Sequence, residues 1–96
     1  MGAVTLSDLI PDVEIMALKA GSYNLFPGNS LRDINLRKFH GLTVVAVKRQ
    51  GKIIENPRAS FVFETEDIIY ILGKPAIIAE LTYAENKSAE LLHPVE

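Results

Sequence analysis

The chain has 96 residues, and none of them is cysteine or tryptophan. Without thiols there is no disulfide, no thiolate nucleophile and no Cys-ligated zinc. That is consistent with a reducing compartment. His40 and His93 are the only imidazoles. They stand far apart in sequence, so neither an H-x-x-x-H metal pair nor a ready nucleophile–base pair exists. No G-x-G-x-x-G and no G-K-[ST] is present, which removes the common phosphate loops. The longest apolar run is the five residues Ile68–Leu72, far short of a membrane span. Met1–Ile10 has no basic start and carries Asp8, so no secretory leader is expected.

What the chain does have is globular: 48% hydrophobic and 23% charged residues. One small domain of this size buries little more than about 60% of its unfolded surface, so a second copy would help it. The net charge of −2 is unevenly placed. Arg32–Arg58 holds seven basic residues against Asp33 and Glu55, for +5, whereas 59–96 carries two lysines against seven acids, for −5. A basic middle in an acidic chain points to an anionic partner or to a solvated strand pair. Nucleic acid is not expected, because the basic stretch contains a single aromatic, Phe39, and no stacking pattern.

Apolar periodicity and turn residues divide the chain. Val13–Lys19 alternates, with Val13, Ile15 and Ala17 on one side and Glu14, Met16 and Leu18 on the other, and reads as a strand with one buried half. Thr5–Ile10 reads as a helical turn or a lead-in. Phe26-Pro27-Gly28-Asn29 is a turn. Ser30 then caps a short helix over Ser30–Asn35, with Asp33 three residues on. Leu42–Arg49 is a β-branched strand whose unbroken Thr43–Val47 core predicts burial on both faces. Gln50-Gly51 turns it into the short strand Lys52–Glu55, and Asn56-Pro57 ends that strand. A brief extended piece over Ser60–Phe63 follows. Thr65-Glu66-Asp67 is a turn into the strand Asp67–Leu72, stopped by Gly73. Pro75 opens a helix over Ala76–Ala84 striped by Ile77, Ile78 and Leu81.

The order strand, short helix, hairpin, strand, helix describes an α+β domain: a small antiparallel sheet with two short helices. The expected divisions are a lead-in over 1–12, the domain over 13–84 and a tail over 85–96. Glu64, Glu66 and Asp67 cluster, but they bracket a tight turn, and Asp67 is expected to hydrogen-bond the turn backbone rather than hold a metal. His40 beside Gly41 reads as a turn residue, and His93 lies in the tail. No catalytic group and no metal set emerges, so an enzyme is not expected.

One resemblance extends over most of the chain. Ser30-Leu31, Ile34-Asn35-Leu36-Arg37, Gly41, Val44–Arg49, Gly51, Asn56-Pro57, Asp67 and Gly73 follow one another as in the TrkA-C domain, also called the RCK C-terminal domain. The sequence departs from that pattern at Glu66, where a glycine usually precedes the Asp, so this turn should do without positive φ. The resemblance implies a dimeric regulatory domain, located in the cytoplasm and reaching the inner face of the membrane through a potassium channel, potassium uptake system or cation/proton antiporter. It implies a homodimer, a membrane-embedded transporter or channel subunit as partner, and a small anionic ligand between the two copies.

In some such domains the ligand is cyclic di-AMP, and the pattern that binds it falls here on Leu31, Asn35, Arg37, Thr43 and Val44. Leu31, Arg37 and Val44 match that pattern; Asn35 stands in place of Asp and Thr43 in place of Asn. The resemblance therefore implies that Arg37 meets a phosphate, while Leu36, Val44 and Pro57 wall a base. The Thr43 hydroxyl replaces a carboxamide that would read two points of adenine. Cyclic di-AMP or another nucleotide is one reading of the ligand. A ligand-free structural assembly module is the alternative, with Arg37 then serving in a surface or intersubunit salt bridge.

Overall fold

The computed structural model describes residues 13–34, 36 and 41–85. Its strands are β1 (Glu14–Lys19), β2 (Thr43–Arg49), β3 (Lys52–Glu55) and β4 (Ile68–Gly73), and its helices are α1 (Leu31–Ile34) and α2 (Pro75–Glu85). A single 3-10 turn, Ala20–Ser22, follows β1. The strands form one antiparallel sheet in the order β1-β4-β2-β3. The expected fold class is thus the observed one. Among the described residues no helix is long and apolar enough to cross a membrane.

Register explains which side of each strand is buried. Directly opposed residues of antiparallel strands share a face. Met16 opposes Ile71 and Leu18 opposes Ile69 across β1 and β4, while Val44 and Val47 oppose the same two isoleucines from β2. That face meets Phe26, Ile34, Leu36, Leu42, Phe63, Ile78 and Leu81 in one core. Helix α2 contributes Ile78 and Leu81, three residues apart on one stripe.

Two expectations about burial need correction. The Thr43–Val47 run is not buried on both faces: Thr43 is exposed, and Val45 and Ala46 are half-buried. The register with β4 shifts between Val44 and Ala46, a bulge that adds one residue. Val44 and Val47, three apart, therefore both turn into the core. Strand β1 likewise lacks a fully buried half. Leu18 is buried, but Met16 is 39% exposed and Ile15 58% exposed. β1 is an edge strand, and nothing among the described residues covers the outer sheet face on which Ile15 and Ala17 stand. Ile53, at 53% exposure, is on that same face through Lys48, which opposes both Ile53 and Ile68.

The turns follow the sequence closely. Gln50 and Gly51 have φ of 51° and 80°, the double positive φ of a tight two-residue hairpin, closing on the Arg49–Lys52 pair. The Ser30 hydroxyl accepts the Asp33 N–H at 3.1 Å as an N-cap. Glu66 does not have positive φ, as its position before Asp67 requires of a non-glycine. The expected extended piece near Ser60–Phe63 lies beside the chain that enters α1. Gly28 N–H donates to Phe63 C=O at 2.9 Å, Leu31 N–H to Phe61 C=O at 2.9 Å and Arg32 N–H to Ala59 C=O at 2.8 Å. These bonds tie the short helix to the segment that follows β3.

Candidate functional site

Those ties create a groove. Helix α1, the start of β2 and the exit from β3 surround an open cavity of about 350 Å³, lined by Leu31, Arg32, Leu36, Leu42, Thr43, Val44, Asn56, Pro57 and Ala59. Five of the seven residues singled out from the sequence meet here: Leu31, Leu36, Thr43, Val44 and Pro57. Asn35 and Arg37, the other two, lie outside the described residues.

Leu36, Val44 and Pro57 are buried, and Leu31 is half-buried. Thr43 is exposed at the mouth, and its hydroxyl donates to the Gly41 carbonyl at 3.4 Å. The cavity therefore has an apolar floor and a polar rim, with Arg32, Thr43 and Asn56 as the polar side chains. Such a shape suits a flat apolar body attached to an anion. Arg32 and Asn56 were not among the site residues expected from the sequence, where Asn56 served only to end a strand and mark the family pattern. Arg32 is exposed, and no ion pair with a described residue holds its guanidinium.

A second polar constellation lies at the opposite end of β2 from the groove, where Arg49 ends the strand. Arg49 grips Asp67 with two parallel bonds, Nε to Oδ1 at 2.8 Å and Nη2 to Oδ2 at 2.6 Å. Nη2 also donates to the Val62 carbonyl at 2.9 Å, and Glu64 N–H donates to Asp67 Oδ2 at 2.8 Å. The guanidinium lies 4.6 Å from the Phe61 ring centroid. Phe61, Phe63, Phe26 and Tyr23 continue from there as edge-to-face neighbours, 5.2–6.3 Å between centroids. The Arg49 hydrogen bonds hold the Asp67 carboxyl below its ordinary value; burial opposes this, and the Glu64 N–H adds to the lowering.

The expected bond from Asp67 to the turn backbone is thus present. Its partnership with Arg49 was not read from the sequence. Glu64 pairs with Arg49 at 3.4 Å and Glu66 with Lys19 at 3.3 Å, so each acid of this cluster faces a base. Among the described residues no group of three or more acids, histidines or cysteines gathers to hold a metal. His40 and His93 lie outside the described residues.

Comparison with known proteins gives this geometry relatives. The family model for the TrkA-C domain matches residues 13–83. The Ktr system potassium uptake protein C of Bacillus subtilis (strain 168) is 39% identical over 46 residues, which is 48% of this chain. Those residues are 21% of the relative, so the chain matches about a fifth of its length.

Among solved structures, the RCK C domain of the potassium transport protein KtrA in complex with cyclic diadenosine monophosphate has a TM-score of 0.65 at 26% identity, over 76% of this chain and 84% of that one. The RCK_C domain dimer of S. agalactiae BusR in complex with c-di-AMP has a TM-score of 0.64 at 24% identity, over 74% of this chain and 88% of that one. BusR in complex with its busA-promotor DNA is a longer chain, of which this domain covers 40%, at 23% identity and a TM-score of 0.66. The BusR likenesses are ones of fold.

Proposed function

The chain belongs to the TrkA-C family, and from that premise we propose that it is the ligand-sensing and dimerising regulatory domain of a potassium transport system. The observation that carries the proposal is the groove. Residues 31, 36, 43, 44 and 57, distant in sequence, line one cavity whose apolar floor and polar rim suit a nucleotide. At about 350 Å³ it has room for one base with its sugar and phosphate rather than for a whole dinucleotide. Two copies offer two such grooves, which suits a two-fold ligand such as cyclic di-AMP.

Pairing is also supported by the outer sheet face, where Ile15 and Ile53 are more than half exposed on a single copy. Ligand bound between copies biases how they sit, and that bias is what a membrane gate could follow. The proposed location follows from that role: the cytoplasm, against the inner face of the membrane through the transporter. Catalysis and nucleic-acid binding have no part in it. The basic Arg49 is occupied by Asp67, and among the described residues those lining the groove include no ionisable acid or imidazole.

The test is a thermal melt and light scattering of the purified chain with and without cyclic di-AMP. A mass of twice 10.6 kDa and a ligand-dependent rise in melting temperature are expected. A monomer at tens of micromolar that ignores every nucleotide would overturn the proposal. A dimer that ignores them favours the ligand-free assembly module, for which the exposed outer face is the specific observation.

A further inference from the structure

We propose that the Asn56 carboxamide reads the base edge in the groove and makes the site selective for adenine. This rests on the reading of the groove as a nucleotide site. Asn56 lines that cavity together with Pro57 and Thr43. Its backbone is fixed as the chain leaves β3: φ is 48°, its N–H donates to the Val45 carbonyl at 2.9 Å, and the following Pro57 is buried. The side chain is exposed, and among the described residues none hydrogen-bonds its carboxamide. A free planar amide is therefore held on a rigid backbone at the edge of an apolar floor.

The chemistry selects the base. A carboxamide offers one donor and one acceptor side by side. Adenine presents a complementary donor and acceptor, N6–H and N7, and asparagine pairs with both. Guanine presents two acceptors at the same edge, N7 and O6, of which the amide satisfies one. Thr43, the other neutral polar side chain on the rim among the described residues, has a single hydroxyl, already engaged with Gly41 C=O. It cannot make a two-point contact alone.

Asparagine also tolerates positive φ, so Asn56 could serve its turn and nothing else. Asn56→Gly separates the two roles, since glycine keeps the backbone conformation and removes only the amide. Calorimetric titration of the full chain with cyclic di-AMP and with cyclic di-GMP is the experiment. The wild type is expected to prefer cyclic di-AMP. Asn56→Gly is expected to bind it about 5- to 150-fold more weakly, the fold-change of a bidentate base contact, and to lose the preference, with its melting temperature little changed. A variant with wild-type affinity and preference would overturn the assignment of Asn56 while leaving the nucleotide reading in place. A wild type that binds neither dinucleotide would overturn both.

Discussion

Removing Arg49 should destabilise this domain strongly, because it holds a buried carboxylate by two hydrogen bonds. The Asp67 carboxylate is 1% exposed and Arg49 about a quarter exposed. Arg49→Ala leaves a buried carboxylate with the Glu64 N–H as its remaining polar partner. Removing one member of a buried pair costs about 3–5 kcal/mol. The quarter exposure of Arg49 lets water reach the vacated site, so the lower end of that range, about 3 kcal/mol, is the expectation. In a domain of this size that corresponds to a fall of roughly 12–24 °C in melting temperature. Arg49→Lys keeps the charge but loses the two-pronged grip and should fall between.

The pH dependence of the same pair gives a sharper check. The unfolded chain titrates Asp67 near the ordinary value of 3.8, and the fold lowers it. Between those two values the unfolded state binds more protons than the native state. The stabilisation is therefore complete above 3.8 and disappears as pH falls through the lowered native value. Melts of wild type and Asp67→Asn should differ most at neutral pH and converge in acid. A melting temperature for Arg49→Ala within about 2 °C of wild type at neutral pH, far inside the range above, would refute the reasoning. So would a gap between wild type and Asp67→Asn that persists unchanged well below pH 3.8.

Three further outcomes are expected. Gly51→Val should cost about 1–2 kcal/mol, seen in a thermal melt, because φ is 80° while no atom lies within 4 Å of the added Cβ, so the penalty is purely one of backbone conformation. Gly21→Ala should destabilise for the opposite reason: its Cβ would meet the Thr65 carbonyl oxygen at 2.8 Å, and Gly21 N–H already donates to that same oxygen. Arg37→Ala should weaken nucleotide binding roughly ten- to hundredfold by calorimetry if Arg37 grips the phosphate, and equal binding by both proteins would return Arg37 to a salt-bridge role.

Local chemistry made much of the fold legible. The Gln50-Gly51 hairpin, the Ser30 cap, the stop at Gly73 and the helix opened by Pro75 each depend on a few adjacent residues, and each stands where the sequence places it. What escaped depends on pairing between distant strands. The bulge at Val45 exists only relative to β4, so the run Thr43–Val47 looks doubly buried until that register is known. The Arg49–Asp67 grip has the same origin: Lys48 opposes Ile68, and the next residue of one strand and the previous residue of the other are then neighbours. Had β2 been placed beside β4, Arg49 would have pointed to Asp67. The groove was legible only through family resemblance, because its walls come from three separate segments. The hydrogen bonds of Leu31 and Arg32 to Phe61 and Ala59 bring them together, and those are backbone contacts that no residue type announces.

The same dependence on pairing changes what the charge pattern means. The excess of +5 over Arg32–Arg58 suggests a basic surface, yet its members go to different places. Arg49 is neutralised by Asp67 and flanked by Glu64, so it offers an anion nothing. Lys48 stands on the outer sheet face, opposite Ile53 and Ile68. Of the described bases in the stretch, Arg32 lines the groove. If the groove takes a phosphate as proposed, Arg32 is the described base placed to meet it, and the summed charge of the stretch is a poor guide to that attraction. Salt should then weaken ligand binding only modestly, since screening acts on distant charges more than on a contact inside a partly apolar groove. A ligand whose affinity collapses with moderate salt would be held by the diffuse surface field instead, and its site would not be this groove.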